Sequence, residues 1–297
     1  QRTRRPHGKQ AEMNPLVSIC IPLYNNASTI EETVRSVISQ TYRPLELVIV
    51  DDNSTDNSYD VVNSILAELP ENLDVLRHLE RNTSNLGMSG NWNRCLSLCN
   101  GRYIKLLCAD DTIDSSLVER EVEVLEHFPE VLSVESDTAF VDRNGKITGH
   151  YNRYRKSGTV SGRETARYSL FHRDYLGAPL ANLFRRTAYE QYGGFDPDFH
   201  YIVDYEFFMR LACAGDVFII HEPLNFFRLR HDSNTSQVLG GDEGRCYVEE
   251  HRRLAEKFAA ELSLSPSDIR RSVRIRRLMN LLGGIYLKLH IGGRQNV

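Results

Sequence analysis

The sequence predicts an α/β fold built on a Rossmann-like, doubly wound and mostly parallel sheet with a C-terminal helical extension. Short runs of branched apolar residues alternate with segments of helical periodicity over the first 112 residues. Such alternation implies right-handed crossovers and parallel strands. Two of the runs also end on paired aspartates, and the carboxyl ends of parallel strands are where sheets of this kind bind ligands.

The elements follow in order. "LVSICIPLY" (16–24) is a β-branched run closed by turn residues and reads as a buried strand. Ser28 precedes Glu31 by three, the spacing of a capping box, and Ile30, Val34, Val37 and Ile38 recur at helical intervals. "PLELVIV" (44–50) repeats the strand pattern, and a helix follows near 56–69. "LDVLRHL" (73–79) supplies a third strand, 88–99 a third helix, and "RYIKLLCADD" (102–111) a fourth strand. Beyond 112 the alternation fades. We expect helices at 115–127, 163–172 and 203–215, strands at 131–142 and 217–230, and a helical tail.

With 297 residues, 41% of them hydrophobic, the chain can bury a sizeable core in one large domain. A net charge of -4 gives no basic excess with which to neutralise phosphates, so no nucleic-acid partner is expected. The six cysteines show no CxxC pair and sit mostly in apolar segments, as reduced packing residues of a cytosolic protein would. No stretch approaches the roughly 20 apolar residues of a membrane span, and the polar, basic residues 1–14 read as a flexible arm without signal-peptide character.

Asp51, Asp52, Asp110 and Asp111 follow strands of one parallel series and should emerge on one edge of the sheet. An aspartate after a strand is commonly a turn former or cap, and "NSTDNS" is rich in residues that bond their own backbone. Two acidic pairs on one edge nevertheless repel unless a cation or a ligand compensates them. The first strand–helix turn, "PLYNNAST", has no glycine, so neither a dinucleotide fingerprint nor a P-loop is present. A nucleotide here would need its charge met by a divalent metal held on carboxylates.

"SICIPLYNNASTIEETVRSVISQTYRPLELVIVDDNSTDNS", "NLGMSGNWNRCL", "GRYIKLLCADD", "GGFDPDF" and "DYEFFMRLA" resemble, in order, the inverting family 2 glycosyltransferases of GT-A fold, over about residues 16–236. The resemblance implies a nucleotide-sugar-binding half at 15–112, an acceptor-binding half at 113–240 and a helical extension at 241–297. It implies that Pro22, Tyr24 and Asn25 of the first loop and Asp52 hold the nucleotide, with Tyr24 flanking a uracil ring and Asp52 accepting from its imide. Asp51 would fix the turn. Asn85 and Gly87 would contribute to the same site, or only shape the backbone. Trp92, the only tryptophan, reads as core.

The family's DxD motif falls on Cys108, Ala109 and Asp110, with a thiol where an acid is usual. The resemblance makes Asp110 the ligand of a divalent metal, Mn2+ or Mg2+, and Asp111 an auxiliary ligand or a cap for the next helix. Cys108 itself reads as buried and inert. In "VDYE" the family's acidic pair begins with Val203 and keeps Asp204, which becomes the catalytic base. Glu206 is an alternative that a helix should turn to another face, and Asp204 could also be a plain N-terminal helix acid. "FRLRHDSNTS" resembles the closing segment of the family through Arg228, His231 and Ser236. His231 would contact the metal or diphosphate, and Arg228 would balance leaving-group charge.

The implied partners are a nucleotide-diphosphate sugar and a saccharide or lipid-linked acceptor. A nucleotidyltransferase would share the sheet but needs a glycine- and basic-rich first loop, and a non-catalytic sugar-nucleotide sensor would lack the base. Residues 265–297 carry seven Lys/Arg against one Asp around "LMNLLGGIYLKLHI". This segment could lie on anionic lipid at the inner face of a membrane, or pack on the core or on a second subunit.

Overall fold

The computed structural model describes residues 14–142, 144–152, 154–229 and 244–290. Ten strands form one sheet. The first four are β1 (Val17–Leu23), β2 (Leu45–Asp51), β3 (Val75–Arg81) and β4 (Tyr103–Leu106). They are crossed by α1 (Ile30–Ile38), α2 (Ser58–Glu68) and α3 (Gly87–Leu98). These strands pair in the order β3-β2-β1-β4, all parallel. β2 is buried along its whole length and β1 at all but one residue, as expected of strands covered on both faces.

The capping box does not form. α1 begins at Ile30 behind Thr29, and no side chain caps it. The carbonyl of Asn26 accepts from the amides of Thr29 and Ile30, both at 3.0 Å. The Thr29 hydroxyl donates instead to the carbonyl of Ala109 at 3.0 Å, so the residue that could have capped the helix ties it to the loop after β4. Glu31 pairs with Arg35 along the helix surface.

Past β4 come β5 (Thr112–Ile113), α4 (Leu117–His127), β6 (Val131–Val141), β7 (Ile147–Tyr151), β8 (Gly158–Val160) and α5 (Gly162–Phe171). Then follow β9 (Asn182–Arg185), α6 (Arg186–Tyr192), α7 (Val203–Ala214) and β10 (Asp216–Arg228). The sheet path continues β4-β9-β6-β10-β5, with β7 on β6 and β8 on β10. β9 runs antiparallel to both β4 and β6, and β5 antiparallel to β10, while β6 and β10 are parallel. Six of the eight strands on the path therefore share one direction. The short β5, β7, β8 and β9 lack the length and apolar runs that mark the others. The tail is α8 (Gly244–Lys257) and α9 (Pro266–His290).

One apolar cluster, between the sheet and α3, α5 and α7, includes Trp92, whose ring meets Phe195 edge-on at 4.9 Å. α5 and α7 touch backbone to backbone. A Cβ on Gly162 would lie 2.0 Å from the Gly215 carbonyl oxygen and 2.3 Å from that of Ala212, so only glycine fits. On β4, Lys105 is wholly buried. Its ammonium donates to Glu121 of α4 at 2.9 Å and to the carbonyl of Leu180 at 2.8 Å. Burial pushes the Glu121 carboxyl up to about 7 against the opposing pull of Lys105, and lowers Lys105.

This pair tests how β4 is held. Removing one partner of a buried pair strands the other charge, so Glu121→Ala should lose about 3–5 kcal/mol of stability. Lys105→Met with Glu121→Leu should restore stability to within about 1 kcal/mol of wild type, because apolar replacement of both removes the desolvation cost. Urea titration of the two variants distinguishes these outcomes.

Candidate active site

The loops after β1, β2 and β4 meet at the carboxyl edge of the sheet. Asn25 has a positive φ of 52°; its side-chain oxygen accepts the Thr55 amide at 2.8 Å and its own amide donates to Ser54 at 3.0 Å. Asn26 and Ala27 reach Ser58 and Asp56 in the same way. The loop after β1 is thus laced to the loop after β2. Pro22, one residue before the end of β1, is half-buried, and Tyr24 just past the strand is 45% exposed.

The first acid pair divides. Asp51 is fully buried, accepts the Ser54 amide at 3.2 Å and pairs with Arg81 at 3.0 Å. That is the turn-fixing geometry of a strand end. Asp52, also buried, accepts from Asn82 Nδ2 and the Leu86 amide, both at 2.8 Å, and from the Gly87 amide at 3.0 Å. It therefore holds the start of α3, where amides lack helical partners. A carboxylate has about four lone-pair positions, so one remains after these three bonds. Asn85 is exposed; its side-chain oxygen also accepts the Gly87 amide, at 2.9 Å, and Gly87 sits at φ +73°.

The second pair is tied to β10. Asp111 is buried; its Oδ1 accepts the Arg228 amide at 2.9 Å, and its Oδ2 has no hydrogen-bond partner. Burial, then the neighbouring Asp110, push the Asp111 carboxyl well above the usual range. It does not cap the following helix. α4 starts at Leu117 behind Ser116, and Asp114 makes the local bonds there. Arg228 donates from Nε to the Asp110 carbonyl at 3.1 Å and pairs with Glu32 of α1. Its guanidinium is committed to holding three elements together.

Asp204 lies in the first turn of α7, partly exposed. Burial of its carboxyl raises the pKa to about 7, and Asp174 adds to the shift, against bonds from the Tyr205 amide and its own. Asp110, Asp111 and Asp204 all act electrostatically on the half-buried thiol of Cys108, which burial raises far above its ordinary value. The acid of α7 and the acids after β4 thus all lie within electrostatic reach of Cys108. Glu206 is buried on another face, paired with Arg210 at 2.6 Å and Lys257 at 2.9 Å. Sequence reasoning missed Asp174 and Asn82. Asp174 lies in a segment with no periodicity to place it, and its one signal is the turn at Gly177, φ +77°. His231 and Ser236 lie outside the described residues.

Oxygen donors suit a hard divalent cation, and the unpartnered buried Oδ2 of Asp111 beside Asp110 fits one. Among the described residues no three His, Cys, Asp or Glu side chains converge as metal ligands. A cation here would complete its shell with water or ligand phosphate, as Mg2+ commonly does.

The family model described as "Glycosyl transferase family 2" matches residues 18–193, more than half of the chain. The chain belongs to glycosyl transferase family 2. It is a glycosyltransferase, and its sheet and helices are of the GT-A type. Among curated relatives in the family, a chondroitin synthase of Escherichia coli is 27% identical over 75% of this chain, which spans 30% of that longer protein. Two solved structures share the fold. TarS 1–349 of S. aureus in complex with UDP-GlcNAc superposes with a TM-score of 0.70 at 15% identity, over 93% of this chain and 76% of that one. The mannosyltransferase PcManGT of Pyrobaculum calidifontis, in complex with GDP-Man and Mn2+, gives 0.63 at 18% identity, over 96% and 77%.

The bonds of Asp52 make a direct prediction. Asp52→Ala leaves the Leu86 amide without its acceptor and the Gly87 amide with Asn85 alone, and should cost about 1–2 kcal/mol, the range for loss of a helix cap. The measurement is thermal or urea denaturation without nucleotide; an unchanged midpoint would mean that the loop holds itself.

Proposed function

We propose that the chain is a metal-dependent, inverting glycosyltransferase that moves a sugar from a nucleotide-diphosphate donor, preferentially a uridine one, to a hydroxyl of a saccharide or lipid-linked acceptor. The observation that carries this reading is Asp204 at the start of α7, which acts on Cys108 as do Asp110 and Asp111, and whose carboxyl is raised by burial to about 7. A general base works best with its pKa near the working pH. It must also lie across the reacting centre from the groups that meet the leaving charge.

In this reading the Tyr24 ring stacks on the base and the remaining lone pair of Asp52 accepts from the imide. Pro22, Asn25, Asn85 and Gly87 shape the walls. Asp110 and Asp111, with His231 a further candidate ligand, would hold Mn2+ or Mg2+, which when bound neutralises charge on the diphosphate. The Asp204 carboxylate takes the proton of the acceptor hydroxyl. The freed oxygen pair bonds to the anomeric carbon as its bond to the diphosphate oxygen breaks, and entry from the opposite face inverts the configuration. Arg228 supports this edge by fixing Asp110 and Asp111 rather than by touching the leaving group. The polysaccharide-synthesising relative supports a place in glycan assembly, and six free cysteines support a reducing, cytoplasmic compartment.

Asp204→Asn should leave donor affinity near wild type and lower transfer by about 10²–10⁴, the usual contribution of a positioned base. Wild-type transfer should rise with pH through about 7, as the carboxyl ionises, and this limb should vanish in the variant. Stability runs the other way. The native pKa lies above the unfolded one, so the contribution of Asp204 is present below the unfolded value and lost as pH rises to about 7. Asp204→Asn should therefore melt higher than wild type at pH 8, with the gap closing in acid. Wild-type transfer by the variant, or loss of donor binding by calorimetry, would remove Asp204 from the base role.

Asp110→Asn should abolish the Mn2+-dependent part of UDP binding while leaving the melting profile intact. A variant that binds UDP equally with and without Mn2+, as tightly as wild type, overturns the metal assignment.

A further inference from the structure

Three of the large apolar side chains exposed on the described surface crowd one helix. Leu278, Leu281 and Leu282 of α9 are 56%, 61% and 55% exposed. At about 100° per residue they lie on the same side of the helix as Arg270, Arg271, Arg274 and Arg277, within an arc of about 140°. Ser272 and Arg276, both buried, take the opposite side; Arg276 donates to the Ser169 carbonyl and to Tyr247 at 3.1 and 3.2 Å. α9 is therefore docked through Ser272 and Arg276, with Arg271 over the Phe171 ring at 5.6 Å, while Arg270, Arg274, Arg277 and the three leucines stay exposed. Along its axis this exposed face changes character, from arginines to leucines over about 10 Å.

The arginines are not spent within the fold. Arg270, Arg274 and Arg277 pair with no acid among the described residues, and with Arg252, Glu256 and Ile269 they line a groove of about 370 Å³ between α8 and α9. The only acid between 266 and 283 is Asp268, whose carboxylate accepts from the amide and hydroxyl of Ser265. A second copy of the chain is a poor occupant. Pairing two such faces in parallel sets arginine against arginine, and in antiparallel arrangement sets arginines against leucines. An anionic bilayer complements both parts, with phosphates for the arginines and an apolar interface for the leucines. No helix among the described residues is long and apolar enough to cross a membrane, so the contact would be interfacial.

We propose that α9 is an interfacial anchor that lays Arg270, Arg274 and Arg277 on the phosphates of an anionic lipid bilayer and inserts Leu278, Leu281 and Leu282 beneath them. The proposal goes beyond the transfer reaction and stands whatever the donor or acceptor.

The test is co-sedimentation of the full chain with vesicles of phosphatidylcholine alone and of equal parts phosphatidylcholine and phosphatidylglycerol, at low and high salt. Wild type should pellet with the anionic vesicles, weakly with the neutral ones, and less at high salt. Arg270→Ala/Arg274→Ala/Arg277→Ala should lose the anionic preference, at about fivefold per arginine. Leu278→Ser/Leu281→Ser/Leu282→Ser should reduce partitioning by about tenfold or more, with melting temperature and solution activity unchanged because these side chains face solvent. The proposal is overturned if wild type stays in the supernatant with both vesicles or if the leucine variant pellets like wild type. It is also overturned if light scattering shows a wild-type dimer that the leucine variant dissolves without any vesicle binding, which would make a second copy the occupant.

Discussion

The working edge depends on one arginine. Arg228 ends the longest strand of the sheet and binds at once to Asp111, to the Asp110 carbonyl and to Glu32 of the first helix. The pieces it joins come from residues near 30, 110 and 228, so it ties the end of β10 to the first helix and to the loop after β4. Without such a tie, two adjacent carboxylates on a loop would repel each other and swing outward. With it, one oxygen of Asp111 is satisfied from the backbone and the other is buried without a hydrogen-bond partner.

The four acids of this edge differ by how they are compensated, and their chemistry follows from that. Asp51 has a cation and an amide and is structural. Asp52 accepts from three donors. Asp111 is half satisfied, one oxygen bonded and the other not. Asp204, on a helix from the other half, has only weak backbone help against burial and Asp174, so its proton is exchangeable near neutrality. Residue type is the same throughout; desolvation and partners assign the roles.

The parallel half was legible because its strands are continuous apolar runs and its helices are amphipathic. β9 was not. Four residues between two short helices carry no period of their own, and only the open edges of β4 and β6 make them a strand. The site was legible where a side chain follows a strand or starts a helix, since backbone direction alone then places it. Bonds across long sequence separations, such as Asp52 to the start of α3 or Thr29 to Ala109, were not, because spacing along the chain does not report them. The capping box failed because the helix starts one residue later, behind Thr29, and Glu31 pairs with Arg35 instead.

The contact at Gly162 bears on which parts of this region can move. With the backbones of α5 and α7 in direct contact, neither helix can tilt without opening a seam in the core. The segment that leaves α5, residues 172–178, carries Asp174 and is bounded by the turn at Gly177, φ +77°. The two helix ends form a fixed frame, and that short connection hangs outside it.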